Sequence, residues 1–403
     1  ALGLAVCLMF GCSSGGDPLD SLAASTVAPP ASTNGEATGG GARLALVTTE
    51  ARLESTFGQA VWNAMVRFSG EKGVTKGYYI AEGDGEEAAQ NALELALRGG
   101  AELVLAMDGT VTKAVGAAAG QNPEVGFVLM DCGEPLPARD NLTELRFSPV
   151  QAGWLAGYTA VYEEQNTLGV VQYTDTGSSL YALGFALGAD YGAAEQGLAP
   201  GGTRLVWQDP EPRAKDGAGL LTAELLESGA GLVFAAVPAE AQAEVLELVQ
   251  AAGGKLFGIG LSLSHQGTSA LASLDFEPRN LLLSVLEAWH ADRLSGQVVM
   301  GQVADGDIAL NVEAGRFANA REWILSQGAL RFEDGTLAAE LAEATAEVDG
   351  KLPRLDELTL THLVVTPPGP PPEIDPPAVD PDPAPGSGDE SLPPESTDTS
   401  EAT

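Results

Sequence analysis

The sequence predicts an α/β protein of two lobes, each a mainly parallel sheet flanked by helices. Short apolar runs alternate with amphipathic helical stretches, the alternation continues for eight or more βα units, and the segment Leu142–Pro149 interrupts it. Alternation of this kind lays helices over both faces of a parallel sheet. That many units exceed one small sheet. The 403 residues also suit two domains at roughly 100–200 residues each.

Taken in order, Leu44–Thr48 reads as a buried strand. Phe57, Val61, Ala64, Met65 and Phe68 then recur on one helical face. Val74–Ile80 is strand-like, and Glu86–Arg98 is helical, with acids in its first turn and Gly99-Gly100 as its stop. Leu103–Ala106 and Phe127–Met130 are strand runs around a helix over Val111–Gly120. The pattern repeats with strands at Leu168–Val171, Arg204–Trp207, Leu232–Ala236 and Leu256–Ile259, and helices at Ser179–Tyr191, Leu220–Glu227 and Ala239–Ala252. Leu142–Pro149 is expected to be the first passage between lobes. In open parallel sheets a ligand sits beyond the carboxyl ends of the strands, and two such edges face to face suit closure around a small solute.

A formal charge of −36 repels phosphate backbones and argues against nucleic-acid binding. Three His and three Cys are too few for a zinc-finger framework or a disulfide scaffold. The chain carries no Walker A, no dinucleotide-binding GxGxxG between strand and helix, and no HExxH. An enzyme is not expected, nor is a metal or cofactor. His265, His290 and His362 are scattered; His290 beside Trp289 reads as structural and Cys132 as an inert core thiol.

The first ten residues are apolar. They fall short of the about 20 needed to span a bilayer and fit the core of a secretory signal, about 7–15 residues. Leu8-Met9-Phe10-Gly11-Cys12 resembles a bacterial lipoprotein lipobox, in which Cys12 would take the lipid. Residues 13–41, rich in Ser, Gly, Ala, Thr and Pro, read as a flexible tether with a reach of roughly 30 Å. Residues 366–403 are Pro-rich and acidic without Lys or Arg, a composition expected to stay disordered.

Across residues 42–365 the chain resembles the basic membrane protein family of substrate-binding lipoproteins, the nucleoside-binding class of type I periplasmic binding proteins. The family's opening strand, loop and Ser-Phe-Asn-Gln helix match Leu46-Val47-Thr48-Thr49, a loop, and Thr56-Phe57-Gly58-Gln59. Its Ile-Ile-Asp strand end matches Val128-Leu129-Met130-Asp131, and its interlobe helix matches Gly153-Trp154-Leu155-Ala156-Gly157. An Arg-Phe-x-x-Gly-Tyr helix matches Leu180–Phe185, and a closing Gly-Lys-Ile strand matches Gly350-Lys351-Leu352.

The resemblance implies a purine nucleoside held by stacking aromatics and by carboxylates on its ribose. Phe57 and Tyr181 are then the stacking candidates and Asp131 the ribose carboxylate, with Thr49, Asp108 and Ser262 as further contacts. Each of the first three has a plain alternative: Phe57 as the first core residue of its helix, Tyr181 as cover for the cleft rim, Asp131 as a loop cap. The chain also departs from the family. Gly58 stands where an Asn is usual, Ser262 replaces an Asp, the family's Lys falls at Asp275 or Phe276, and the opening loop is shortened to Thr49–Glu54.

The expected organisation is a signal with lipobox over 1–12, the tether 13–41, a first lobe of 42–148 plus 268–302, a second of 149–267 plus 303–365, and the tail 366–403. The expected function is that of a lipid-anchored solute-binding protein, monomeric, held at the cell envelope and delivering a nucleoside-like molecule to an ABC permease. The alternative is a surface lipoprotein that keeps the scaffold for sensing or envelope interaction and has lost the nucleoside.

Overall fold

The computed structural model describes residues 43–82, 85–107, 109–130, 136–164, 166–208, 217–260, 267–312 and 327–369. The expected lipidation site Cys12, the tether and residues 370–403 lie outside the described residues.

The first sheet contains β1 (Leu44–Thr48), β2 (Lys76–Ile80), β3 (Leu103–Met107), β4 (Gly126–Met130), β5 (Leu142–Phe147) and β11 (Val298–Gly301), in the order β11-β5-β4-β3-β1-β2. All its pairings are parallel. The second contains β6 (Thr167–Gln172), β7 (Thr203–Trp207), β8 (Leu232–Ala236), β9 (Lys255–Ile259), β10 (Ala270–Phe276), β12 (Ile308–Val312) and β13 (Leu363–Thr366), in the order β12-β10-β9-β8-β6-β7-β13. There, among the described residues, only β12 runs antiparallel, against β10. Within each sheet the first five strands follow one plan: β2-β1-β3-β4-β5 is repeated as β7-β6-β8-β9-β10.

Helices cover both faces of each sheet, which is why the strands are continuous apolar runs rather than alternating ones. In the first lobe Leu44 and Leu46 join one core with α2 (Thr56–Lys72) and α9 (Arg279–His290), while Ala45 and Val47 join another with α3 (Glu86–Arg98) and α4 (Thr112–Gln121). In the second, α5 (Pro149–Glu163) and α6 (Thr176–Glu195) cover one face, and α7 (Ala218–Glu227) and α8 (Ala239–Ala251) the other. The segment between β12 and β13 adds α10 (Thr336–Ala344), whose Leu337 and Leu341 enter the α5–α6 core.

Caps fix the helix starts near the strand ends. Ser55 Oγ accepts from Gly58 N at 3.1 Å to start α2, and Asp175 Oδ1 accepts from Ser178 N at 2.8 Å to start α6. Helices α5 and α6 touch backbone to backbone. A Cβ on Gly157 would lie 1.9 Å from Phe185 O, and one on Gly188 would lie 2.0 Å from Trp154 O. Only glycine allows that approach, and it brings both helices onto one sheet face.

The structure differs from the sequence reading in several places. Leu142–Phe147, expected within the first passage between lobes, is strand β5, and the passage begins only after it. Glu50–Glu54, expected as part of a loop, is a one-turn helix, α1, capped by Thr49 and anchored by buried Leu53. Residues 268–302 were expected in the first lobe, but β10 pairs with β9 in the second sheet, so the return to the first lobe follows Phe276. Its apolar run has the same character in either sheet, and only pairing decides. Lys351 makes an isolated bridge with Val348, and the strand near the end is instead Leu363–Thr366, paired to β7.

Candidate ligand-binding cleft

Among the described residues the chain passes between the sheets three times, and each passage leaves from the carboxyl end of a strand. β5 ends at Phe147 and leads into α5; β10 ends at Phe276 and leads back to α9; β11 ends at Gly301 and leads to β12. The carboxyl edges of the two sheets therefore lie on the side where the lobes join. Ring contact confirms it: Phe147 and Phe276, the last residues of β5 and β10, have centroids 5.0 Å apart.

Hydrogen bonds tie the passages into one hinge. Ser148 N–H donates to Gly301 O at 3.1 Å, Glu277 N–H to Asp307 O at 2.9 Å, and Val303 N–H to Gln151 Oε1 at 3.1 Å. Asp307, 1% exposed, also accepts from Gln302 N–H through Oδ2 at 3.3 Å. Burial raises its pKa, the Gln302 N–H opposes that, and Asp305 and Glu277 add repulsion in the raising direction.

In a 2-1-3-4-5 sheet the ligand crevice opens beside the first strand, where the strand order reverses. Here those strands are β1 and β6. β1 ends at Thr48, which is followed by Thr49, α1 and the first turn of α2 with Phe57. β6 ends at Gln172, followed within a few residues by α6, which carries Tyr181.

Phe57 is half-buried. The Arg52 guanidinium sits over its ring at 4.5 Å, and Phe147 meets it edge-on at 6.0 Å. Thr49 spends its hydroxyl on the α1 cap, accepting from Arg52 N at 3.3 Å. Tyr181 is partly buried against the second lobe's core. Burial pushes its phenol far above the usual range, and the nearby Asp175 carboxylate adds to this. Phe57 is joined to the hinge through Phe147, whereas Tyr181 belongs to the opposite lobe. Asp131, Asp108 and Ser262 lie outside the described residues.

Several residues of the cleft escaped the sequence reading. Phe147 was hidden, and Phe276 was marked only as one of two positions for the family's Lys, because the meeting of the two rings is non-local. Thr48 and Gln172 carried one weak signal, a polar residue closing an apolar run. Conversely, His290 packs edge-on to Phe68 with ring centroids 5.9 Å apart, in a structural setting.

An open groove of about 320 Å³ also lies on the second lobe, lined by Trp154, Asp190, Tyr191, Leu337, Leu341 and His362. It sits by α10 and the approach to β13, away from the carboxyl edges. Its aromatic faces are engaged already: Tyr158 stacks on Trp154 at 5.0 Å, and Arg331 lies over Tyr191 at 5.9 Å.

Residues 42–195 match the model of the Bmp family, described as ABC transporter substrate-binding protein PnrA-like. The resemblance read from the motifs is borne out over that span, and the family is one of substrate-binding proteins. No curated protein sequence matches the chain. Among solved structures, a transcriptional activator of the comK gene from Bacillus halodurans superposes with a TM-score of 0.55 at 16% identity, over 77% of this chain and 99% of that one. A solute-binding protein of an ABC transporter system from Conexibacter woesei DSM 14684 gives 0.55 at 13% identity, over 76% and 98%. AraP, an arabinose-binding protein from Geobacillus stearothermophilus, gives 0.52 at 14%, over 69% and 99%. At these identities the likeness is one of fold, and it bears out the expected type I periplasmic-binding-protein architecture.

Proposed function

We propose, from the family match over residues 42–195, that this chain is the solute-binding component of an ABC transporter and closes its lobes on a small polar molecule. The observation that carries this reading is the apposition of two carboxyl strand edges across the Phe147–Phe276 hinge. Such a site works by binding alone. Closure excludes water, and a few placed polar groups fix the ligand's orientation. A nucleoside is the default ligand by family, with Phe57 and Tyr181 on opposite lobes as candidate walls. Cys12 would carry the lipid anchor that keeps the protein at the envelope beside its permease.

A second reading is favoured by the Phe57 ring, which already has Arg52 over it and Phe147 at its edge. On that reading the chain is a surface lipoprotein that keeps the scaffold and has given up the stacked base. A thermal-shift screen of the full chain against nucleosides, bases, sugars and amino acids separates the two. A ligand at 100 times its Kd adds about 2.7 kcal/mol, a clear rise in Tm. The transport reading predicts such a rise for at least one solute, and a flat screen favours the other.

A further inference from the structure

Thr48 and Gln172 occupy equivalent places in the two lobes. Each is the last residue of the strand beside which its sheet reverses order. Each lies three strands from the hinge, Thr48 from β5 and Gln172 from β10. At about 4.8 Å per strand, both stand roughly 14 Å along the facing edges from the Phe147–Phe276 contact. Thr48 is 0% and Gln172 5% exposed, yet Thr48 Oγ1 and Gln172 Oε1 have no hydrogen-bond partner. Buried polar atoms are nearly always satisfied. Trp62, Thr112 and Trp207 also hold a buried unpartnered atom, but none of them ends a strand at the point of reversal.

We infer that Thr48 and Gln172 are ligand contacts, one from each lobe, that engage the hydroxyl groups of a sugar moiety. This rests on the solute-binding reading above and specifies its ligand. An amide oxygen can only accept, so its partner must donate. A threonine hydroxyl does either, which suits an alcohol on the ligand. Neighbouring hydroxyls of a furanose or pyranose offer donors and acceptors close together. A free base carries no alcohol group, and its donors and acceptors are confined to the edge of a flat ring. The sugar is a free monosaccharide or the ribose of a nucleoside. Both atoms are buried in this arrangement, so on this assignment the lobes part to admit the ligand and close to satisfy them.

The test is calorimetric titration of the full chain with D-ribose, L-arabinose, D-galactose, adenosine, inosine and adenine. At least one sugar-bearing probe binds and adenine does not. Binding of the monosaccharides alone identifies a sugar site, whereas binding of adenosine and inosine alone identifies a nucleoside site, and either supports the assignment. Thr48→Val and Gln172→Met each weaken that binding about tenfold or more, Thr48→Ser retains it, and the ligand-free Tm of the apolar variants is not lowered. Adenine binding as tightly as adenosine overturns the assignment. So does unchanged affinity in both apolar variants, or loss in Thr48→Ser equal to that in Thr48→Val. In these cases the solute-binding reading stands. No binding by any of the six overturns the assignment and counts against that reading too.

Discussion

Phe147 closes a strand of one sheet, Phe276 closes a strand of the other, and their rings meet at 5.0 Å. Phe57 extends the contact on the first-lobe side at 6.0 Å from Phe147. Three rings from three elements thus couple the lobes at the pivot about which the cleft would open.

Phe147→Ala removes both contacts. Aromatic pairs are worth about 0.5–1.5 kcal/mol each beyond their burial, so the two pairs account for about 1–3 kcal/mol, and the lost burial of the ring adds to this. Chemical denaturation should show it as a lower midpoint with an unchanged slope. Phe147→Leu, which keeps the apolar bulk, should lose less.

Asp307 gives the hinge a pH dependence. A carboxyl whose folded pKa lies above its unfolded value binds more protons in the folded state between the two, so its contribution to stability falls as pH rises through that window. Asp307→Asn keeps an acceptor for Gln302 N–H and removes the repulsion from Asp305 and Glu277. Its Tm should exceed that of the parent at pH 7. The advantage should vanish below the ordinary carboxylate range. An equal difference at all pH values would refute this account of the hinge.

Two glycine-to-alanine changes should move stability in opposite directions. In Gly157→Ala the new methyl meets Phe185 O at 1.9 Å, which forces α5 from α6 at a cost of about 1–3 kcal/mol. Gly70 lies exposed in α2, and nothing comes within 4 Å of a Cβ there. Gly70→Ala should add about 0.8–1 kcal/mol from helix propensity alone. Thermal melts of the two variants check both signs.

Much of the fold is legible in the sequence because it is local. The apolar runs at Leu44–Thr48 and Leu232–Ala236 are strands with those limits, and Glu86–Arg98 is the helix its acids and glycines announce. Sheet membership is not local. Residues 270–276 would read the same in either lobe, and pairing with Lys255–Ile259 decides. The site is less legible still. Family motifs point to Phe57, but its cover by Arg52 depends on a turn of helix that a shortened loop does not advertise. That Thr48 and Gln172 lack partners is a property of packing, and no residue pattern encodes it.

The central claim is that two lobes close on a solute, and small-angle X-ray scattering reads it most directly. The full chain is measured with and without whichever solute gives the largest thermal shift. The radius of gyration should fall on saturation, and Phe147→Ala should alter the ligand-free value. An unchanged radius with the site demonstrably full would contradict closure.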